Sequence, residues 1–218
     1  MLRVLKDNES ALPIARYCSR PAVRAAAPVP PMSPEQAILP DDMNIILDQD
    51  ACPKASGYCM LDNGGGYLTV KAALPGVTKE MLQWMVAWQG LEPVHYMAIN
   101  GEVHHSAAVS DLDREKIGRS FLSVEEKSEG IIVSTVDQIG GELYDDLTYY
   151  LSPADRGLSL DRYVRSGAVT IGGTVLRQRH SETDPQKKSL NIMVSVVRDT
   201  ADGVEVQTHL WAGYKILR

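Results

Sequence analysis

One segment reads clearly as helix, and most of the chain beyond it alternates like strands. Thr78 is a good N-cap, Glu80 sits in the first turn where the helix dipole favours an acid, and Gly90 is a stop. Between them Met81, Leu82, Met85, Val86 and Gln89 recur at helical spacing, flanked by Trp84 and Trp88. Tyr67–Ala73 before it and several segments after it carry strand patterning. These segments are Val94–Asn100, Ser120–Glu125, Ile131–Asp137, Leu143–Leu151, Ala168–Gln178, Ser189–Arg198 and Val204–Ile216. Ser120–Glu125 and Ile131–Asp137 read as a hairpin, and Asp202-Gly203 joins the last two strands. Strands and helices do not alternate, so the sheet is expected to be antiparallel. The fold class is α+β, a curved antiparallel β-sheet gripping a helix. Such a fold leaves a cavity between sheet and helix, suited to a small hydrophobic ligand.

The N-terminal part is different. Pro13, Pro21, Pro28, Pro30, Pro31, Pro34 and Pro40 fall within residues 1–40, beside the alanine run Ala25–Ala27. Apolar periodicity is poor there, which predicts an arm that wraps the body or is partly disordered. Residues 41–65 read as irregular and end in Asn63-Gly64-Gly65-Gly66, a turn followed by a strand rather than by the helix a phosphate loop needs. The division is a Pro-rich arm at 1–56 and one folded domain at 57–218.

At 218 residues and 44% apolar, the chain can bury a full core. No apolar run approaches the ~20 residues that span a bilayer. No secretory h-region opens the sequence, and Asp7 and Glu9 count against a transit peptide. A net charge of −6 argues against nucleic acid and anionic membranes as partners. Cys18, Cys52 and Cys59 are odd in number and form no CxxC pair, so they are read as reduced thiols in a cytoplasmic protein; a Cys52–Cys59 disulfide is the alternative.

The familiar catalytic motifs are absent. The five histidines, His95, His104, His105, His180 and His209, form no HExxH and no zinc-finger spacing, and there is no GxSxG, Walker loop or Rossmann fingerprint. His104 and His105 on extended chain point to opposite faces, so only one of them faces a given pocket. Tyr96, placed on the preceding strand, has a phenol suited to a carbonyl or phenolate ligand. Asp137 shares a strand face with Ile131, Val133 and Thr135, where a carboxylate needs a partner or a metal. Glu142, beyond Gly140-Gly141, is the next acid to consider. His209 alternates with the polar Glu205 and Gln207, which favours a solvent-facing position.

Leu74-Pro75-Gly76-Val77-Thr78-Lys79-Glu80-Met81 with Trp84 and Trp88 resembles the PhlG family, the 2,4-diacetylphloroglucinol and phloretin hydrolases. The similarity continues through Leu91-Glu92-Pro93, Tyr96, His104, Asp137-Gln138-Ile139-Gly140-Gly141, Asp202-Gly203-Val204-Glu205 and Leu210-Trp211-Ala212-Gly213-Tyr214, covering roughly residues 57–214. The resemblance implies a Bet v 1-like helix-grip fold and retro-Claisen cleavage of an acyl–aryl carbon–carbon bond by zinc-activated water. It implies catalytic roles for Tyr96, His104 and Asp137. His104 and Asp137 would be metal ligands, with Asp137 standing where the family has glutamate. Trp84, Trp88, Gln89, Tyr149, Ser195 and His209 are candidate substrate-binding residues. Gln89 and Ser195 replace expected histidines, and Thr208-His209 replaces a Ser-Arg pair. The family's remaining zinc ligands lie on a C-terminal helix with His-x-x-x-Glu spacing, and this sequence reaches Arg218 without one. The expectation is a truncated form, a zinc-independent relative, or a site that recruits His105, His180 or His209. The implied ligand is a small aromatic or polyketide molecule. Exposed strands and the arm suit a homodimer. Three functions remain open: a PhlG-like hydrolase, a metal-free cyclase or isomerase in the same cavity, and a non-catalytic binder of aromatic molecules.

Overall fold

A computed structural model describes residues 13–14, 28–52, 56–184 and 186–215, with residues 214 and 215 described by their backbone alone. Eight strands form one antiparallel, curved sheet. They are β1 Gly57–Met60, β2 Gly66–Pro75, β3 His104–Val109, β4 Ile132–Ile139, β5 Glu142–Tyr150, β6 Val169–Arg179, β7 Ser189–Asp199 and β8 Gly203–Lys215. Their spatial order is β1-β2-β8-β7-β6-β5-β4-β3. The helices are α1 Lys79–Gln89, α2 Pro93–Asn100, α3 Asp111–Gly118, α4 Val124–Ser128 and α5 Leu160–Ser166. Thr78 caps α1 through its side chain, which accepts from the Met81 N–H, and Gly90 ends it, as the sequence predicts. No helix among the described residues is long and apolar enough to cross a membrane.

Two strand assignments are overturned. Val94–Asn100 is helix α2, not a strand, so Tyr96 projects from a helix. Pro93 at its first turn supplies the preset φ and forgoes an N–H that would be unpaired there. Ser120–Glu125 is not a strand either. Ser123 and Glu126 form a capping box that starts α4, and β4 pairs instead with β3 and β5. Helices α3 and α5 begin the same way, with Ser110 and Ser159 as caps. Residues 41–65 are more regular than expected, with a 3-10 helix at Pro40–Leu47 and strand β1. Cys52 and Cys59 are both free and buried, so no disulfide joins them; Cys18 lies outside the described residues.

The sheet has a core on each face. On one, Val86 of α1 and Tyr96 of α2 pack with Ala107, Ile131 and Val133. On the other, Tyr67, Val194, Val196 and Trp211 are covered by Ile38, Met43, Ile46 and Leu47, which belong to the segment before β1. That cover is tied down by two hydrogen bonds. Trp211 Nε1 donates to the Ile38 carbonyl at 2.6 Å, and Arg198 Nη2 donates to the Ile46 carbonyl at 2.6 Å.

His209 sits in this second core with no exposure at all, against the expectation of a solvent-facing histidine. Its Nδ1 lies 2.8 Å from the Tyr67 hydroxyl and its Nε2 3.7 Å from Cys52 Sγ. Burial, and then the Arg198 charge, hold its pKa down at about 4.

Gly172 and Gly173 bend β6 where the chain is tightest. A Cβ on Gly173 would lie 1.8 Å from the Tyr149 carbonyl oxygen, and one on Gly172 2.0 Å from that of Met193. Both obstacles are backbone, so they cannot swing aside. Gly173→Ala is expected to destabilise the fold by about 3 kcal/mol in urea unfolding; a loss under about 0.5 kcal/mol would show that the strand relaxes freely. The depressed His209 pKa carries a pH signature. The unfolded imidazole protonates near pH 6.5 and the buried one only near pH 4. Its contribution is therefore complete above about pH 6.5 and is lost as pH falls toward about 4, on the order of 3 kcal/mol. His209→Gln should flatten the stability–pH curve in that window, and an unchanged slope would contradict the buried neutral imidazole.

Candidate active site

A cavity of about 360 Å³ lies between helices α1 and α2 and the sheet. Strand alternation decides which residues reach it. Thr135 and Asp137 enter from β4, Asp146, Thr148 and Tyr150 from β5, and Val175 and Arg177 from β6. Asn191 and Met193 of β7 and Leu210 and Ala212 of β8 make the far wall. Met85 and Gln89 come from α1, Tyr96 and Ile99 from α2, and His104 from the start of β3. Apolar and polar side chains share the lining.

Tyr96, Thr135 and His104 converge on Asp137, which is 6% exposed. The Tyr96 hydroxyl donates to its carboxylate at 3.0 and 3.2 Å. The Thr135 hydroxyl donates to Oδ2 at 3.2 Å, and His104 Nδ1 lies 2.8 Å from Oδ1. A carboxylate only accepts, so Nδ1 carries the proton of this bond, and among the described residues no hydrogen bond engages Nε2. The Tyr96 and His104 rings stack at 4.0 Å, which fixes the imidazole plane. Burial, and then the Asp137 charge, raise the Tyr96 pKa far above that of an ordinary phenol, so Tyr96 stays protonated.

Two further groups border the cavity. Gln89 Nε2 donates to the Tyr150 hydroxyl at 2.9 Å. Burial above all raises the Tyr150 pKa, so its O–H keeps its proton, and among the described residues no acceptor is bonded to it. Arg177 holds Asp146 in a bidentate pair, Nε to Oδ1 at 2.9 Å and Nη2 to Oδ2 at 2.5 Å, over the Tyr144 ring.

The structure brings together Tyr96, His104 and Asp137, with Gln89 beside them. The other candidates lie elsewhere. Trp84 is 51% exposed and stacks on Trp88, which stacks in turn on His95, so this ladder runs along the outside of α1. Tyr149 alternates to the opposite sheet face, one residue out of step with the lining Tyr150. Ser195 shares the sheet face of Met193, but its hydroxyl is paired with Thr208 at 2.8 Å. His209 is in the far core. Glu142 is exposed and pairs with Arg179 at 3.8 Å. Tyr150, Asp146 and Arg177 are lining residues that motif search does not find. Their only signal is the period-two alternation of β5 and its pairing with β6.

The zinc expectation meets a set of two donors. His104 and Asp137 touch each other, whereas a catalytic zinc takes three protein ligands and a water. His105 turns to the other side of β3 onto Gln138, His180 pairs with Asp145 at the surface, and His209 is across the sheet. Among the described residues no group of three or more His, Cys, Asp or Glu could hold a metal. Among the described residues, His104 and Asp137 alone therefore do not make up the implied zinc site.

An antiparallel sheet closed by two helices over an internal cavity, with a His–Asp–Tyr cluster on its wall, is an architecture of the helix-grip type. The sequence profile of the DAPG hydrolase PhiG domain matches residues 38–218, and the chain belongs to that family. It is 25% identical over 185 residues to the 2,4-diacetylphloroglucinol hydrolase of Pseudomonas protegens, covering 84% of this chain and 58% of that protein. A second 2,4-diacetylphloroglucinol hydrolase, from Pseudomonas sp, gives 25% over 185 residues, 84% of this chain and 61% of the relative. The chain thus spans about three-fifths of the length of the curated relatives it matches.

Asp137→Ala leaves the Tyr96 hydroxyl and His104 Nδ1 without their acceptor. The expected cost is about 2–3 kcal/mol in urea unfolding, against about 1 kcal/mol for Tyr96→Phe, which removes a single donor. Equal small losses would mean that the carboxylate organises nothing.

Proposed function

We propose that this chain forms the substrate cavity of a hydrolase that removes an acyl group from an acylated phenol by carbon–carbon cleavage. Family membership and the names of the relatives support the reaction class. The observation that carries the reading is the Asp137-anchored imidazole on the wall of a cavity sized for one aromatic ring.

The Asp137 carboxylate orients His104 and balances the imidazolium that forms during reaction. His104 Nε2 takes a proton from water as the water oxygen bonds to the acyl carbon. The carbonyl electron pair moves onto oxygen, where the Tyr150 O–H, held by Gln89, donates to it. When the carbonyl re-forms, the bond to the ring breaks and its electron pair enters the ring, conjugated with the phenolic oxygens. The proton on His104 Nε2 passes to that ring carbon. One water is consumed, and a carboxylic acid and a deacylated phenol leave. Arg177, whose Nε and Nη2 hold Asp146, keeps Nη1 as a donor for a phenolic oxygen on the same wall. Tyr96 stays protonated and serves to hold Asp137 and the imidazole in place.

The test is incubation of the full chain with an acylated phloroglucinol, with carboxylic acid and deacylated ring quantified by chromatography. The two products are expected in equal amounts. His104→Ala should slow their release by at least about a hundredfold, and Tyr150→Phe by about the same factor. Binding of the phenol without acid release would contradict hydrolysis and leave a binding protein. Conversion to an isomeric product without acid release would make it a cyclase or isomerase.

A further inference from the structure

The sheet face opposite the cavity carries a second concavity. A groove of about 520 Å³ runs between the end of the Pro40–Leu47 helix, its following turn, helix α5 and the end of β7. Three guanidiniums line it, Arg162 and Arg165 of α5 and Arg198 of β7. Arg198 is the informative one. It is 9% exposed, and among the described residues its one side-chain hydrogen bond is the Nη2 contact to the Ile46 carbonyl. Among the described residues no carboxylate lies within ion-pair distance of Arg198, Arg162 or Arg165.

The same chain treats its other sequestered arginines differently. Arg177 has a bidentate carboxylate, and Arg156 donates to Gly172 and Thr170 through three bonds. The remaining Arg198 nitrogens are not sealed off from the groove, where solvent or a bound anion can accept from them. The acids in the groove do not do so. Asp48 turns its Oδ1 back onto the N–H groups of Asp50 and Ala51 at 3.0 and 3.3 Å. Asp50 lines the groove beyond ion-pair distance of all three arginines. The uncompensated charge is felt locally, since Arg198 disfavours protonation of His209 and favours the Cys52 thiolate.

We propose that this groove binds a small molecule through an oxyanion, phosphate or carboxylate, with Arg198 as the buried anchor and Arg162 and Arg165 as the outer clamp. Planar guanidinium forks match both anion types bidentately. The site lies across the sheet from the cavity, so its ligand is not the substrate of the proposed hydrolase, and the inference stands apart from that reading.

Titration calorimetry of the full chain at constant ionic strength, with inorganic phosphate and separately with succinate, tests it. Saturable binding of one equivalent is expected. Phosphate binding tighter than succinate assigns a phosphoryl ligand, and the reverse order a carboxylate. Arg162→Gln combined with Arg165→Gln changes only exposed side chains, so the fold should keep its native melting temperature while binding weakens by about tenfold or more. Arg198→Lys, which keeps the charge but loses the fork, should weaken it too. The proposal fails if neither anion binds saturably, or if the double variant binds as tightly as the native chain.

Discussion

Asp137 is a carboxylate with almost no contact with water, and the candidate site is arranged around making it tolerable. Three donors reach it from three places in the chain: Thr135 on its own strand, Tyr96 on α2 and His104 on β3. Each contact doubles as a positioning device. The antiparallel register sets His104 directly opposite Asp137, and α2 stacks the Tyr96 ring on the imidazole at an interplanar angle of 29°. A buried charge without these bonds would cost several kcal/mol, so the constellation and the local fold stand or fall together. The result is an imidazole on the cavity lining whose Nδ1 partner is fixed.

The sheet serves two tasks because strands alternate. One residue set builds the cavity wall, and the next set builds the core under the segment before β1. Val194 and Val196 lie under that segment while Asn191 and Met193 look into the cavity. The two faces are chemically unlike. The cavity face concentrates its polarity around Asp137 and the Arg177–Asp146 pair. The other face buries His209, Tyr67, Cys52 and Trp211, and leaves the Arg198 guanidinium short of acceptors at its margin. The family match begins at residue 38, so the buried cover supplied by Ile38 to Leu47 belongs to the matched region.

Much of this was legible in the sequence where one signal dominated. Helix α1 had a cap, an amphipathic stripe and a stop, and β2, β5, β6, β7 and β8 had long alternation. What failed were short segments with rival signals. Val94–Asn100 carries strand-forming residues and an Asn-Gly ending, but Pro93 and the Val94/Met97 spacing make it a helix. Ser123-Val124-Glu125-Glu126 is a capping box hidden in what reads as an extended run. In the site, Asp137 was legible because a carboxylate on an apolar strand face needs a partner, whereas His104 was singled out by the family resemblance. Tyr149 stood in for Tyr150 because alternation fixes a face only once the register is known. His209 was misread because polar neighbours at i−2 and i−4, Gln207 and Glu205, normally mark a wet face. Here Gln207 is itself buried and bonded to Thr69, so the polar row turns inward at these positions. Trp84 and Trp88 looked like a ligand wall, but the helix turns them outward and gives the cavity Met85 and Gln89 instead.

The central claim is that Asp137 holds His104 with its proton on Nδ1 and its Nε2 toward the cavity. Long-range proton–nitrogen NMR on histidine-labelled protein, with His104 assigned through His104→Gln, reads the tautomer directly. The account predicts an Nδ1–H imidazole at neutral pH that loses this preference in Asp137→Ala. An Nε2–H tautomer in the native chain, or one unchanged by removing the carboxylate, would contradict it.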